Sequence, residues 1–138
     1  MTKDQLVAQV KQIHTHAKAG NLDAAYEGYK KLFTDPTFTK AKPEDMRQAL
    51  KLMVLAKGVP KKPTPPMVEA HRAAVPALTE LVIQFDEPGD YEMLGICHVV
   101  LGNEQSASNI FKAALKLERE RNAASELCGS LMSRLSQL

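Results

Sequence analysis

The feature that most constrains the fold is a set of small residues at helical spacing on both sides of a glycine turn. The small residues are Gly95, Ala107 and Ala114, with Gly102-Asn103 between them and the large Leu94 and Phe111 beside them. Two helix axes approach closely only where the side chains between them are small. Gly102 can also adopt the positive φ that is common at a helix C-terminus. Residues 88–121 are therefore predicted to form a tight antiparallel helix pair.

This stretch resembles one tetratricopeptide repeat. The matching residues are Tyr91-x2-Leu94-Gly95-x2-His98, Gly102-Asn103 and Ala107-x3-Phe111-x2-Ala114. His98 stands where the repeat has tyrosine, and the closing proline is absent from residues 118–122. The resemblance implies a right-handed superhelical stack of antiparallel helix pairs, a scaffold that serves many unrelated partners.

The rest of the chain also shows helical spacing, so the predicted fold class is all-α. Thr2 and Gln5 have the spacing of a capping box before the first helix. Pro76 interrupts a long fourth helix, which it either kinks or breaks. We expect three antiparallel helix pairs and a C-terminal capping helix in a single domain spanning 1–138. The approximate bounds are 3–34, 43–85 and 90–121 for the pairs and 123–137 for the cap.

The composition supports this fold class and points to a reduced compartment. Aromatic residues make up 5% of the chain and tryptophan is absent, so Leu, Val, Ala and Met must form the core. Cys97 and Cys128 form no metal or redox motif, and both lie among apolar residues. We predict buried, reduced thiols and a cytoplasmic protein. The chain shows neither a secretory signal pattern nor an apolar run long enough to span a membrane.

No catalytic motif is present, so the chain is predicted not to be an enzyme and to need no cofactor or metal. Phosphate-binding loops, nucleophile elbows and zinc-binding helices are all missing. His14 and His16 are two residues apart and would point to different faces of a helix. Cys97 and His98 are adjacent, and their side chains would diverge on an apolar helix. Core packing explains them better than catalysis.

The resemblance places a partner-binding groove along the first helix of the best repeat. The residues that would face the groove are Glu92, Met93, Ile96, Val99 and Val100. Since most of these are apolar, the groove would suit an amphipathic helix or an extended peptide. The leading hypothesis is an adaptor that binds a protein or peptide partner. The alternative for this face is that another helix of the chain, or a second subunit, covers it.

A basic segment supports a second hypothesis. Residues 40–62 contain seven Lys and Arg against two acidic residues. Lys57, Lys61 and Lys62 are its candidate contacts, and the corresponding function is a regulatory subunit that docks an acidic partner. Nucleic acid is the less favoured partner because no aromatic residues interleave the lysines. Two alternatives are left open for these charges: ordinary solvated helix faces, and head-to-tail association between copies of the chain.

Overall fold

A computed structural model describes all residues, 1–138, and contains only helices. The α-helices are α1 (Lys3–Lys18), α2 (Leu22–Thr34), α3 (Pro43–Val54), α4 (Pro65–Phe85), α5 (Pro88–Val100), α6 (Glu104–Asn122) and α7 (Glu126–Ser136), and a short 3-10 turn spans Phe38–Lys40. The all-α prediction is confirmed. The right-handed stack of helix pairs stays a prediction.

Side-chain caps fix where several helices begin. The Gln5 N–H donates to Thr2 Oγ1 at 3.2 Å, and the Thr2 N–H donates to Gln5 Oε1 at 2.9 Å, which completes the predicted capping box. At the start of α2 the Ala24 N–H donates to Asn21 Oδ1 at 3.1 Å. Ser125 caps α7, so this helix begins at Glu126, three residues later than predicted.

Pro76 does not break α4. The helix runs for 21 residues with Pro76 inside it. Proline has no N–H, so the Arg72 carbonyl lacks its usual helical donor. The helix continues because buried residues such as Ala74 and Leu78 lie on both sides of the proline, and burial of apolar surface offsets the lost hydrogen bond.

Contacts divide the chain into two compact units, Met1–Ala77 and Leu78–Leu138. The single domain over residues 1–138 stays a prediction. In the first unit α1 packs closely on α2: a Cβ added at Gly28 would lie 2.6 Å from Ile13 Cγ1. The 3-10 turn then returns Phe38 to the core, where its ring centroid lies 5.2 Å from that of Phe33. Phe38 is fully buried, although it lies between the first two predicted helix pairs.

In the second unit α5 and α6 form the predicted tight pair. A Cβ added at Gly95 would lie 2.3 Å from Phe111 Cε1, so only glycine lets this ring approach. Ala107 and Ala114 are fully buried beside it, and Gly102 has a φ of +80° at the turn. These positions confirm the register predicted from the small residues.

Helix α7 completes the second unit by packing on α6. Cys128 and Leu131 of α7 join Phe111 and Leu115 of α6 in one buried cluster. Cys97 and Cys128 are free and buried, as predicted. Burial raises the pKa of the Cys97 thiol to about 12.

Buried His71 should make the stability depend on pH. Its ring Nδ1 lies 2.7 Å from the Met67 carbonyl oxygen. Burial lowers the pKa of His71 below its ordinary value of 6.5, and the bond to Met67 opposes this only in part. The unfolded chain therefore binds a proton more readily than the folded chain. The contribution of neutral His71 to the free energy of unfolding is fully present above pH 6.5 and decreases as the pH falls below that value.

We expect the urea midpoint to fall between pH 7.5 and pH 5.5. His71→Gln should remove most of this dependence, because the titrating group is gone. His16→Gln should keep it, since His16 is exposed. An unchanged pH slope in His71→Gln would assign the dependence to other groups, such as the partly buried His98, whose pKa burial also lowers.

Candidate functional site

The structure leaves little of the predicted α5 surface accessible. Met93 is 1% exposed, and Glu92 is buried with its Oε2 3.0 Å from Nε of Arg134 in α7. Ile96 packs against the α6–α7 cluster, and Val100 is half-buried. Val99 alone of the five predicted residues is exposed. A partner could reach Met93 only if the surrounding residues moved.

The cover comes from α7, which brings Arg134 to Glu92 and corresponds to the alternative that another helix of the chain covers this face. Ile96 and Val99 do line a small pocket of about 200 Å³, together with Arg134 and the C-terminal residue Leu138. This pocket is too small for a peptide segment, since ligand pockets for even small molecules usually exceed about 300 Å³.

The first unit contains a larger concave surface, which we call the α1–α3 groove. It consists of two adjoining pockets of about 580 and 290 Å³ that share Val10, Lys11 and Leu52. Its apolar lining is Leu6, Val7, Val10 and Ala17 from α1, Leu22 and Ala25 from α2, Ala49, Leu52 and Met53 from α3, and Ala56 and Val59 after α3. The groove exists because α1 packs mainly on α2 and only lightly on α3.

The walls of the α1–α3 groove expose large apolar side chains. Leu6 and Met53 form buried parts of the lining, whereas Val7, Leu22, Leu52 and Val59 are exposed. Leu52 is 52% exposed. These four side chains are among only ten large apolar residues that the whole chain exposes. Clustered exposed apolar residues often mark interaction sites, whereas single exposed apolar residues are common on any protein surface.

Cations outnumber anions among the polar groups that line the α1–α3 groove. Lys3, Lys11 and Lys57 line it, and Asp45 is the one acidic residue in its lining. His14 also lines it, as do two tyrosines. Of the three predicted basic contacts, the structure thus places Lys57 in the groove, while Lys61 and Lys62 are exposed in the segment before α4 and do not line it.

The charges of the two units differ in sign. Residues 1–77 contain 13 Lys and Arg against seven Asp and Glu, whereas residues 78–138 contain five against nine. The α1–α3 groove therefore lies on the basic unit. A basic unit attracts acidic partners over distances of about 10 Å at ordinary salt concentrations.

No group of three or more His, Cys, Asp or Glu residues could hold a metal ion. Cys97 is wholly buried with a raised pKa, which disfavours the thiolate that a nucleophile requires.

Comparisons with known proteins identify no family for this chain. It matches no protein-family model, no curated protein and no solved structure. The resemblance to the tetratricopeptide family therefore rests on the motif of residues 88–121 and stays a prediction. None of the helices combines the length and the apolar character that crossing a membrane requires.

The sequence contained a pattern that could have indicated the exposed apolar residues of α1 and α3. Leu50, Met53 and Val54 form the inward side of α3, so Leu52 falls on the opposite side, where a polar residue is expected. On α1, Val7 widens the apolar stripe beyond the buried Leu6. The pattern indicates an exposed apolar position on each helix, and the packing of α1 and α3 brings the two positions to one surface.

Proposed function

We propose that this protein is a protein-interaction module whose α1–α3 groove takes an apolar segment of a partner protein. The observation that carries the proposal is the clustering of Val7, Leu22, Leu52 and Val59 around one concave surface. Helix-lined apolar grooves commonly bind partner segments that place apolar anchors at regular spacing. The adaptor hypothesis is thereby kept, and its site moves from α5 to the first unit.

The length of the α1–α3 groove favours a polymer segment over a small ligand. Its lining on α1 extends from Lys3 to Ala17, which are 14 residues apart. A rise of 1.5 Å per residue makes this about 20 Å. A small apolar molecule would fill one of the two pockets, whereas a partner segment of about four helical turns would occupy both.

The second hypothesis, a regulatory subunit that docks an acidic partner through residues 40–62, is supported by one observation. Lys57 lines the groove, and the exposed Lys61 and Lys62 follow Lys57 closely in the sequence. An acidic partner could therefore use this segment and the groove together.

Selection of peptides tests the proposed function. A display library of random 16-residue peptides is selected against the full chain, and the affinities of the recovered peptides are measured. We expect Leu52→Asn to weaken them about tenfold or more, because the loss of one buried leucine contact is worth about 1.5–3 kcal/mol. The melting temperature should stay close to that of the wild type, since Leu52 is exposed.

Ile83→Asn is the matched control. Ile83 is 77% exposed, is also helical and lies outside the α1–α3 groove. It should leave the peptide affinities unchanged. Recovered peptides that bind Leu52→Asn as tightly as the wild type would overturn the groove as the binding site.

A further inference from the structure

We infer that the segment bound in the α1–α3 groove is an acidic amphipathic α-helix, with an apolar stripe flanked by Asp and Glu. This inference rests on the proposed function and adds the chemistry and conformation of the partner. Three features of the groove carry it: the arrangement of its cations, the composition of its walls and the sign of the charge on the surrounding unit.

The cations of the groove are distributed along its length. Lys3 and Asp45 line the 290 Å³ pocket, Lys11 lines both pockets, and Lys57 lines the 580 Å³ pocket. Lys3 and Lys11 are separated by eight residues of α1, or about 12 Å. Carboxylates two turns apart on a bound helix have a similar separation. The groove can therefore pair with acidic groups at more than one point along a partner.

The walls favour a helical partner over an extended one. They consist of helices α1, α2 and α3 and the segment after α3, so the groove presents no open strand edge. An extended peptide would press its backbone N–H and C=O groups against apolar side chains without hydrogen-bond partners, which is costly. A helix satisfies these groups internally and can turn its apolar side chains toward Leu52 and Val10.

The net charge of the first unit favours the same partner. Its 13 basic and seven acidic residues produce a positive field around the groove. Such a field accelerates the approach of an acidic chain and disfavours a basic one. The apolar lining in turn disfavours an occupant that is charged on every side, because burial of an unpaired charge is costly.

The composition and conformation of the selected peptides provide the first measurement. The peptides that depend on Leu52 should carry Asp or Glu beside apolar residues at i, i+3, i+4 and i+7 spacing. Circular dichroism should show that they gain helix on binding. An increase in salt from about 0.05 M to about 0.5 M should weaken them several-fold, because it shortens the Debye length to a few ångströms.

Charge reversal at the groove provides the second measurement. Lys11→Glu and Lys57→Glu should each weaken the peptides about tenfold. Lys18→Glu is the matched control, because Lys18 is exposed in the last turn of α1 and does not line the groove. Its effect should be small and should disappear at high salt.

The proposed function and the acidic helical partner are contradicted by different results. If no recovered peptide depends on Leu52, the proposed function fails. If the peptides depend on Leu52 but are neutral or basic, gain no helix on binding or tolerate Lys11→Glu and Lys57→Glu, the groove is retained and the acidic helix is overturned.

Discussion

Phe111→Ala is expected to destabilise the protein by about 3–5 kcal/mol, the cost of a large cavity in a well-packed core. The Phe111 ring is 1% exposed and joins the cluster that connects α6 to α7. It also fills the space left by the missing side chain of Gly95. Urea unfolding monitored by circular dichroism measures the change.

Gly95→Ala tests the same contact from the other side. The new Cβ would lie 2.3 Å from Phe111 Cε1, so the ring must move. Overpacking of this kind costs about 1–3 kcal/mol. In the Phe111→Ala background the methyl group enters a cavity, and alanine also favours the helix by about 0.5–1 kcal/mol over glycine. The effect of Gly95→Ala should therefore change sign there, and equal costs in both backgrounds would contradict the contact.

Leu131→Ala should cost about 2–5 kcal/mol, although the residue lies in the last helix of the chain. Leu131 is fully buried in the cluster formed with Phe111 and Cys128. Met132→Ala is the control, since Met132 is of similar size, adjacent and 47% exposed. Its cost should stay near about 0.5 kcal/mol. A wild-type urea midpoint for Leu131→Ala would mean that α7 contributes nothing to the folded core.

Features that depend on neighbouring residues were predicted well. The start of α1 follows from Thr2 and Gln5, because a capping side chain bonds to an amide three residues away. The α5–α6 register follows from Gly95 and Ala107, since the short turn fixes which residues face each other. In both cases the deciding contacts are close in sequence or lie across a short turn.

Features that depend on distant contacts were not predicted. Phe38 is buried because a 3-10 turn folds it back against Phe33. The chain leaves its helical conformation between these two residues, so helical spacing could not predict the contact. Glu92 is buried with Arg134, which is 42 residues away, so spacing within α5 could not show it. The helical spacing of Leu22, Ala25 and Leu32 in α2 predicts that Leu22 faces inward, but Leu22 is exposed, because the groove lies open beside it.

The candidate site also has predicted and unpredicted features. The apolar binding surface was predicted on α5 from the tetratricopeptide resemblance, and most of that surface is buried. The basic segment was predicted from charge, and its Lys57 lies in the observed groove. The common position of the groove and the basic segment in the first unit was not predicted. It depends on the gap between α1 and α3, two helices separated by 24 residues of chain, whose packing no local pattern specifies.

The placement of the cysteines makes one half of the chain separately observable in solution. Both thiols, Cys97 and Cys128, are buried in residues 78–138, and residues 1–77 contain none. A thiol reagent can label them only after the second unit opens. The labelling rate measures the opening rate where labelling is faster than reclosing, and the population of the open state where it is slower. The first unit contributes no thiol to the measurement, so only the opening of residues 78–138 is detected. The native sequence thus provides a kinetic probe of one unit without an engineered label.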